Sequence, residues 1–366
     1  MSTEAEDSSP QILLLAPPFE ARGICAYTVR LARGLRNRGW TNSIVTSDGQ
    51  QLTPAVRTEL NVQEWRCAEL PLAGQLHAWW RGPGLRPQLL HAQTPRMLRL
   101  ANELARRWRV PYVLTVHHLP SQSRLPIDRQ WCRRVIAANS TVAAELSTHF
   151  GVPASLVTEI PPGVEPCCDS SRPVPLSPGH VPVIGAAGPL ESDKGLIWFL
   201  GAARRVLDVH REVEFVIAGA GPEETNLRRL ARELKLAAHV TFAPYVPDFQ
   251  TPLRAMDVYC LPAVRQGLSA TLLEAMALGL PIVASTVGGI DDVIDHEVTG
   301  LLTPPQDLEA LTAAFLRLVR NPAEAQRLGG AGKELVAREF GVERMLDQTL
   351  ALYQEVLPAS AGESAA

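Results

Sequence analysis

A single carboxylate interrupts an apolar segment in the second half of the chain. Glu274 lies within Leu272–Met276, a run that otherwise favours a protein core. Ser269 is a plausible N-cap for a helix that reaches about Leu278, with Gly279 closing it. Burying a carboxylate without a partner is costly. We therefore expect Glu274 either to hold the hydroxyl groups of a ligand or to take part in an internal ion pair or cap contact.

A rare lysine stands at the start of another predicted helix. Lys194 is one of only three lysines among the 35 basic residues of the chain, and Gly195 follows it. An ammonium group at such a position can neutralise a phosphate. The alternative is a solvated surface lysine, but the strong bias toward arginine in this sequence favours the functional interpretation.

A pair of glycines follows a further predicted strand. Gly288 and Gly289 come after the apolar segment Pro281–Ala284 and are predicted to open a helix. Glycines let a ligand approach the backbone, and the N–H groups at the start of a helix attract phosphate. For the pair taken alone, an ordinary turn is the alternative.

Apolar runs alternate with helical patterns along the whole chain. Such alternation predicts an α/β fold with parallel sheets covered by helices on both faces. Ile24–Arg38 carries apolar residues on one face and arginines on the other, as an amphipathic helix does. The predicted strands are Ile12–Ala16, Ser43–Thr46, Leu89–Ala92, Tyr112–Val116 and Val135–Ala138, and then Pro182–Ala186, Glu214–Ala218, Val240–Phe242, Val258–Leu261 and Pro281–Ala284.

The stretch Pro161–Gly179 is rich in Pro and Ser and divides the chain near its middle. We predict a first doubly wound domain over residues 1–165, a linker over 166–179 and a second doubly wound domain over 180–340. Residues 341–366 are predicted to form a helix and tail that pack back toward the first domain. The strands of both domains would point their carboxyl ends at a shared cleft, where ligands bind.

The composition is that of a globular protein. Of the 366 residues 46% are hydrophobic and 20% are charged, and the net charge is −3. The polar, acidic start lacks a signal-peptide pattern, and no run reaches the ~18 apolar residues of a membrane span, so we expect a cytoplasmic protein. The six cysteines form no metal-binding pattern. We expect no nucleic-acid partner.

Short motifs in both halves are similar, in order, to those of a known enzyme family. Arg22-Gly-Ile precedes the first predicted helix, and Arg38-Gly closes it. Along nearly its whole length the chain resembles the group 1 glycosyltransferases (glycosyltransferase family 4), which are retaining enzymes of the GT-B fold. The resemblance implies two Rossmann-like domains facing across a cleft and the transfer of a sugar from a nucleotide diphosphate. The other matching motifs are Leu90-His-Ala-Gln, Leu114-Thr-Val-His-His, Ile136-Ala-Ala-Asn-Ser, Ile160-Pro-Pro-Gly-Val-Glu, Val216-Ile-Ala-Gly-Ala-Gly-Pro-Glu and Val287-Gly-Gly-Ile.

The resemblance assigns the donor mainly to the second domain. Lys194 would contact the diphosphate, and Glu274 would hydrogen-bond the ribose hydroxyls. Gly267 and Leu268 would offer backbone donors to phosphate or sugar, and the Gly288–Gly289 pair would also bind the donor. The nucleotide sugar, UDP- or GDP-linked, would be a substrate, and no cofactor is expected.

Three side chains would take part in the transfer itself. His117 would bond near the transferred sugar, Gln266 stands where the family has the first of two glutamates, and Lys194 would neutralise the leaving diphosphate. Gly23 would face the donor from the first domain, with His118 as a further candidate beside His117. The sequence has no Asp-x-Asp motif, so we expect a metal-independent reaction.

The sequence departs from the family pattern at two positions. Pro189 replaces an arginine that would add a second cation, and Gln266 brings no negative charge to an oxocarbenium-like transition state. Arg265 or Arg22 is a candidate replacement for the missing cation. These losses leave open a catalytically weak, nucleotide-sugar-binding subunit of a glycan-assembly complex, and an epimerase is a third alternative. A dehydrogenase is disfavoured because Gly219-Ala-Gly-Pro-Glu-Glu lacks the third glycine of the dinucleotide fingerprint.

The acceptor is the least defined partner. Trp79 and Trp80 lie beside arginines in the first half, and positions 1–168 carry 18 basic and 13 acidic residues. These features are compatible with a lipid surface or a lipid-linked sugar, although packing onto the core is the commoner role of such tryptophans. A saccharide, a lipid-linked acceptor and a small molecule all stay open, as does peripheral contact with the inner face of the membrane.

Overall fold

The computed structural model of the protein describes residues 11–19, 23–65, 87–119, 124–166, 175–177, 179–244, 250–265 and 268–357. Over these residues the chain forms two parallel β-sheets with helices between their strands. None of the described helices is long and apolar enough to cross a membrane.

The first sheet has seven strands in the order β3-β2-β1-β4-β5-β6-β7, all paired in parallel. Successive side chains of β1 enter two different apolar clusters, Ile12 and Leu14 on one face and Leu13 and Leu15 on the other. A strand covered on both faces requires a continuous apolar run. The elements are β1 (Gln11–Leu15), α1 (Gly23–Asn37), β2 (Thr41–Thr46), α2 (Pro54–Glu59), β3 (Val62–Glu64), β4 (Leu89–Ala92), α3 (Leu98–Trp108), β5 (Tyr112–Val116), β6 (Cys132–Ala137), α4 (Ser140–Thr148) and β7 (Val157–Glu159).

The second sheet has six parallel strands in the order β10-β9-β8-β11-β12-β13. Val283 of its fifth strand faces one apolar cluster, and Ile282 and Ala284 face the other. The elements are β8 (Val183–Ala187), α5 (Leu196–Val209), β9 (Glu214–Ala218), α6 (Glu224–Glu233), β10 (Val240–Ala243), α7 (Gln250–Arg254), β11 (Val258–Leu261), α8 (Ala270–Ala277), β12 (Ile282–Ser285), β13 (Leu301–Thr303), α9 (Leu308–Arg320) and α10 (Pro322–Glu339).

The predicted pair of doubly wound α/β domains is confirmed. The ten predicted strands are present, with bounds that differ from the predicted ones by at most three residues. Three further strands, β3, β7 and β13, did not stand out in the sequence because each has only three residues. In both sheets the strand order reverses beside the first strand, between β1 and β4 and between β8 and β11. Doubly wound sheets bind ligands at this reversal point, outside the carboxyl ends of the strands.

A last helix, α11 (Val342–Val356), lies against the first domain rather than the second. Gly34 of α1 lets it approach closely, because a Cβ atom at that position would lie 2.3 Å from Leu346. Arg38, the residue after α1, donates to Glu343 at 2.7 Å. Tyr353 is fully buried, and its hydroxyl hydrogen-bonds the His91 ring in β4. The residues after the second sheet thus complete the core of the first domain.

Candidate active site

A small cavity lies at the reversal point of the second sheet. It lies between the loops that follow β8 and β11 and is partly open to solvent, and its volume is about 30 Å³, room for roughly one or two water molecules. Gly188, Pro189 and Lys194 line it from the first loop, and Ser269 and Thr271 line it from the start of α8. The predicted phosphate-binding lysine and the predicted capped helix therefore meet at one site.

Lys194 is held there by a short turn and by a glycine. It ends a 3-10 turn, and its Nζ lies 3.5 Å from the Asp193 carboxylate. The Asp193 carbonyl accepts the Val264 amide at 2.8 Å, which ties the turn to the loop after β11. Gly195 has a φ of +67°, and a Cβ there would lie 1.9 Å from the Pro262 carbonyl oxygen. Only glycine therefore permits this approach.

The helix that carries Glu274 begins as predicted. The Ser269 hydroxyl accepts the Leu272 amide at 3.3 Å, α8 ends at Ala277, and Gly279 follows with a φ of +72°. Glu274 itself is 3% exposed. This burial is why a single carboxylate in an apolar helix requires a partner.

The partner comes from the other domain. The Arg30 guanidinium of α1 donates a hydrogen bond to Oε1 of Glu274, and the two residues are 244 positions apart in the chain. The internal ion pair that the sequence left open is thus present, and it spans the cleft. A role of Glu274 in binding ribose stays a prediction. The sequence singled out neither Arg30 nor the pair, since α1 carries several arginines with no local mark to distinguish them.

The prediction that a helix begins at the glycine pair is wrong. Gly288 and Gly289 have φ values of +60° and +79°, and only a 3-10 turn, Ile290–Asp292, follows them. Ile290 and Ile294 are buried, so the chain turns inward rather than continuing along a helix. The proposed donor contacts of the two glycines stay a prediction, but they would not rest on a helix dipole.

The same turn instead contacts the first domain. The Gly288 carbonyl accepts from the Asn139 side chain at 3.3 Å, and the Ser140 hydroxyl donates to Asp292 at 2.6 Å. A Cβ at Gly289 would lie 2.7 Å from both Asn139 Nδ2 and Thr141 Oγ1. The start of α4 and the turn after β12 therefore pack closely across the cleft, as Arg30 and Glu274 do.

The reversal point of the first sheet carries buried amide and imidazole groups. Gln93 follows β4 and is fully buried, with its Oε1 accepting from Thr28 at 3.4 Å. His117 follows β5 and is 7% exposed, and its ring meets that of Tyr27 edge-on at 4.6 Å. Among the described residues, Nε2 of Gln93 and Nε2 of His117 are buried without a hydrogen-bond partner. Leaving such groups unsatisfied is costly, so they call for a ligand or an ordered water.

The site in the first domain is electrically neutral at its centre. Burial above all, and then the neighbouring His118 and His91, lower the pKa of His117 to about 3. Burial raises the pKa of Tyr27 to about 12. His117 can therefore donate or accept a hydrogen bond near neutral pH, but it brings no charge.

The remaining predicted site residues divide into three groups. Gly23 begins α1, and Leu268 is buried just before α8. Arg265 is exposed, and its amide donates to the Asp193 carbonyl at 3.3 Å. Gln266, Gly267, Arg22, Trp79 and Trp80 lie outside the described residues. Within the described ranges, no three His, Cys, Asp or Glu side chains are grouped as metal ligands would be.

Comparison with known proteins agrees with this geometry. Residues 21–166 match the family "Glycosyltransferase Family 4", and residues 181–321 match "Glycosyl transferases group 1". A 2-deoxystreptamine glucosyltransferase of Streptomyces kanamyceticus is 27% identical over 326 residues, 81% of this chain and 83% of that protein. A GDP-mannose-dependent alpha-(1-6)-phosphatidylinositol monomannoside mannosyltransferase of Mycobacterium tuberculosis is 29% identical over 251 residues, 61% of this chain and 64% of that protein.

Among solved structures, Anabaena HepE in complex with UDP-glucose is similar over 94% of this chain and 99% of its own, with a TM-score of 0.79 and 18% identity. The two family matches together cover both domains, in the order that the GT-B fold requires. The chain therefore belongs to the group 1 glycosyltransferases, and it is a glycosyltransferase of the GT-B type.

Proposed function

We propose that the protein is a retaining glycosyltransferase that takes its sugar from a nucleoside diphosphate held mainly by the second domain. The observation that carries the proposal is the position of Lys194, beside the start of α8 at the reversal point of the second sheet. Negative charge grows on the leaving diphosphate as the glycosidic bond breaks. A fixed ammonium group there lowers the barrier without a bound metal.

The first domain would face the transferred sugar and the acceptor. His117 and Gln93 offer neutral polar atoms, which suit the hydroxyl groups of a sugar. In a retaining reaction the acceptor arrives on the face from which the diphosphate departs, and a donor phosphate oxygen can take the proton of the acceptor. Such a reaction requires no nucleophile from the protein.

We propose the donor and the acceptor by chemical class. HepE was solved with UDP-glucose, and the mycobacterial relative is named as GDP-mannose-dependent, so we propose a UDP- or GDP-linked hexose. The acceptor would be a saccharide, a lipid-linked sugar or a small polar molecule. The name of the Streptomyces relative, which specifies 2-deoxystreptamine, supports testing small polar acceptors first.

Two measurements test the proposal. Thermal-shift assays with UDP, GDP and ADP should show a rise in melting temperature with one of them, because a ligand of the folded state stabilises it by mass action. NMR of the product should then show that the anomeric configuration of the donor is kept. Failure of all three nucleotides to bind, or an inverted product, would contradict the proposal.

A second candidate is a nucleotide-sugar-binding subunit with weak activity of its own. Pro189 in the cavity wall and Gln266 in the sequence favour it, since each removes a charge that the family usually has. Release of free nucleotide from a donor by the purified protein distinguishes the two. Binding without any release would support the subunit.

We also propose a cytoplasmic enzyme that makes peripheral contact with the membrane when its acceptor is lipid-linked. The basic balance of positions 1–168 and the pair Trp79 and Trp80 support the proposal. Flotation with anionic liposomes tests it. Equal flotation of the wild type and a Trp79→Ala/Trp80→Ala variant would show that the tryptophans play no part.

A further inference from the structure

Arg30 differs from the other paired arginines of its helix. Its side chain is 14% exposed and meets a Glu274 side chain that is 2% exposed. Arg33, almost one turn further along α1, pairs with Glu59 at 2.8 Å, and both side chains are about half exposed. Arg30 is therefore the arginine of α1 that reaches a buried carboxylate across the cleft.

One member of the pair is on the helix that begins beside Lys194. Glu274 is in α8, whose first residues line the cavity that contains Lys194. Glu274 lies five positions after Ser269, roughly 7.5 Å along a helix. Helical side chains lean toward the N-terminus of their own helix, so Glu274 leans toward the cavity.

Among the described residues that line this cavity, Lys194 is the single basic side chain. The segment after β8 places Pro189, an uncharged residue, in the cavity wall beside Lys194. Of the two replacements that the sequence suggested, Arg265 is exposed, and Arg22 lies outside the described residues. Arg30 is a buried alternative that comes from the opposite domain.

We propose that Arg30 is the second cation of the donor site and binds the diphosphate together with Lys194. The proposal rests on the proposed function. A guanidinium has five N–H donors in a planar fork that suits both carboxylates and phosphates. Glu274 holds the group in place through one terminal nitrogen, and the remaining donors serve the phosphate oxygens.

The alternative is that the pair only ties the two domains together. A buried ion pair contributes little net stability, because desolvation of both charges offsets their attraction. Two apolar side chains would join the domains at least as well. A charged pair at this position is explained when one of its members also binds a charged ligand.

The test compares ligands that differ only in phosphate. Affinities for uridine, UMP and UDP, or for the guanosine series if GDP is the binder, are measured by calorimetry with the wild type and Arg30→Gln. We expect diphosphate affinity to fall about ten- to a hundredfold, the usual effect of losing a charged hydrogen bond. Affinity for the nucleoside should change less than about threefold. Arg30→Lys, which keeps the charge, should recover part of the loss.

Two controls keep the result interpretable. Arg33→Gln removes a charge from the same helix at an exposed pair and should leave all three affinities unchanged. Arg30→Gln leaves Glu274 buried without its cation, which can destabilise the fold, so the double variant Arg30→Gln/Glu274→Gln is measured as well. Because Glu274 is itself assigned to the ribose, affinities of the double variant are compared within the ligand series, and its loss should be larger for the diphosphate than for the nucleoside.

Three outcomes would overturn the inference. Equal losses for the nucleoside, monophosphate and diphosphate in Arg30→Gln would show that the arginine only joins the domains. Unchanged affinities would show that it has no part in the site. A wild type that binds none of the nucleotides would remove the proposed function itself, and this inference with it.

Discussion

The two sheets reverse their strand order at equivalent places but provide different chemistry there. Just after β4 and β5 the first domain buries Gln93 and the neutral His117. Beside β8 and β11 the second domain places Lys194, and Glu274 of the adjacent helix α8 pairs with the guanidinium of Arg30. One architecture thus supports a neutral hydrogen-bonding surface and a charged one. The difference matches the two parts of a nucleotide sugar, a polyhydroxylated ring and a diphosphate.

The site around Lys194 depends on a backbone conformation at Gly195 that only glycine allows. Gly195→Ala would place a methyl group against the Pro262 carbonyl oxygen at a left-handed φ. We expect the free energy of unfolding to fall by about 3 kcal/mol or more, as measured by urea denaturation. Gly330→Ala is the control, since its Cβ meets nothing within 4 Å in α10, and it should stabilise by about 0.5–1 kcal/mol. Equal stability of the two variants would refute the close approach.

Replacing Lys194 should show what the charged site of the second domain contributes to the reaction. Lys194→Ala is expected to lower donor turnover about ten- to a hundredfold, or about 1.5–3 kcal/mol, because a charged contact to the diphosphate is lost. Turnover at saturating donor gives the effect on the chemical step. Lys333→Ala, at an exposed position of α10, should be neutral. Full activity of the Lys194→Ala enzyme would show that the charged site of the second domain does not contribute to the reaction as proposed.

Acid should destabilise the first domain through its buried histidine His91. Burial lowers the pKa of His91 to about 3, below its unfolded value, so the unfolded chain takes up the proton first as the pH falls. Stability is therefore present above about pH 6.5 and is lost progressively toward pH 3. For His91 we expect a loss of about 2 kcal/mol between pH 7 and pH 5.

Urea denaturation at the two pH values measures this loss. A His91→Asn variant should show a pH dependence smaller by that amount. His149→Asn, which changes an exposed histidine, should keep the full dependence. If His91→Asn also kept it, His91 would not be the group responsible.

The smallest effect is expected at His117. His117→Ala should reduce sugar transfer about three- to tenfold, the usual effect of one neutral hydrogen bond, and leave diphosphate affinity within about twofold. Initial rates and calorimetry with UDP or GDP measure the two quantities. His149→Ala serves as the surface control. A large loss of diphosphate affinity in His117→Ala would place the phosphates nearer the first domain than we propose.

Local patterns in the sequence predicted local structure well. The ten main strands were readable because each is an apolar run between turn residues. The start of α8 was readable because a serine cap acts within three residues of itself. β3 and β7 were missed, since their three residues are at most partly buried and lack an apolar run.

Contacts between the domains were not readable in this way. Glu274 was recognised as a carboxylate in need of a partner, but nothing near it in sequence names Arg30, 244 positions away. The glycine pair was misinterpreted for the same reason. Gly289 packs against Asn139 and Thr141 of the other domain, and a single sequence does not display such packing.

The position of α11 has a consequence for synthesis. Arg38, the residue after α1, pairs with Glu343 of α11, which the ribosome adds 305 residues later. At ordinary rates of translation that interval lasts roughly 15–60 s. Throughout it, the surface of α1 that Leu346 finally covers remains open to chaperones or to self-association. A fragment that stops before α11 would keep that surface exposed permanently.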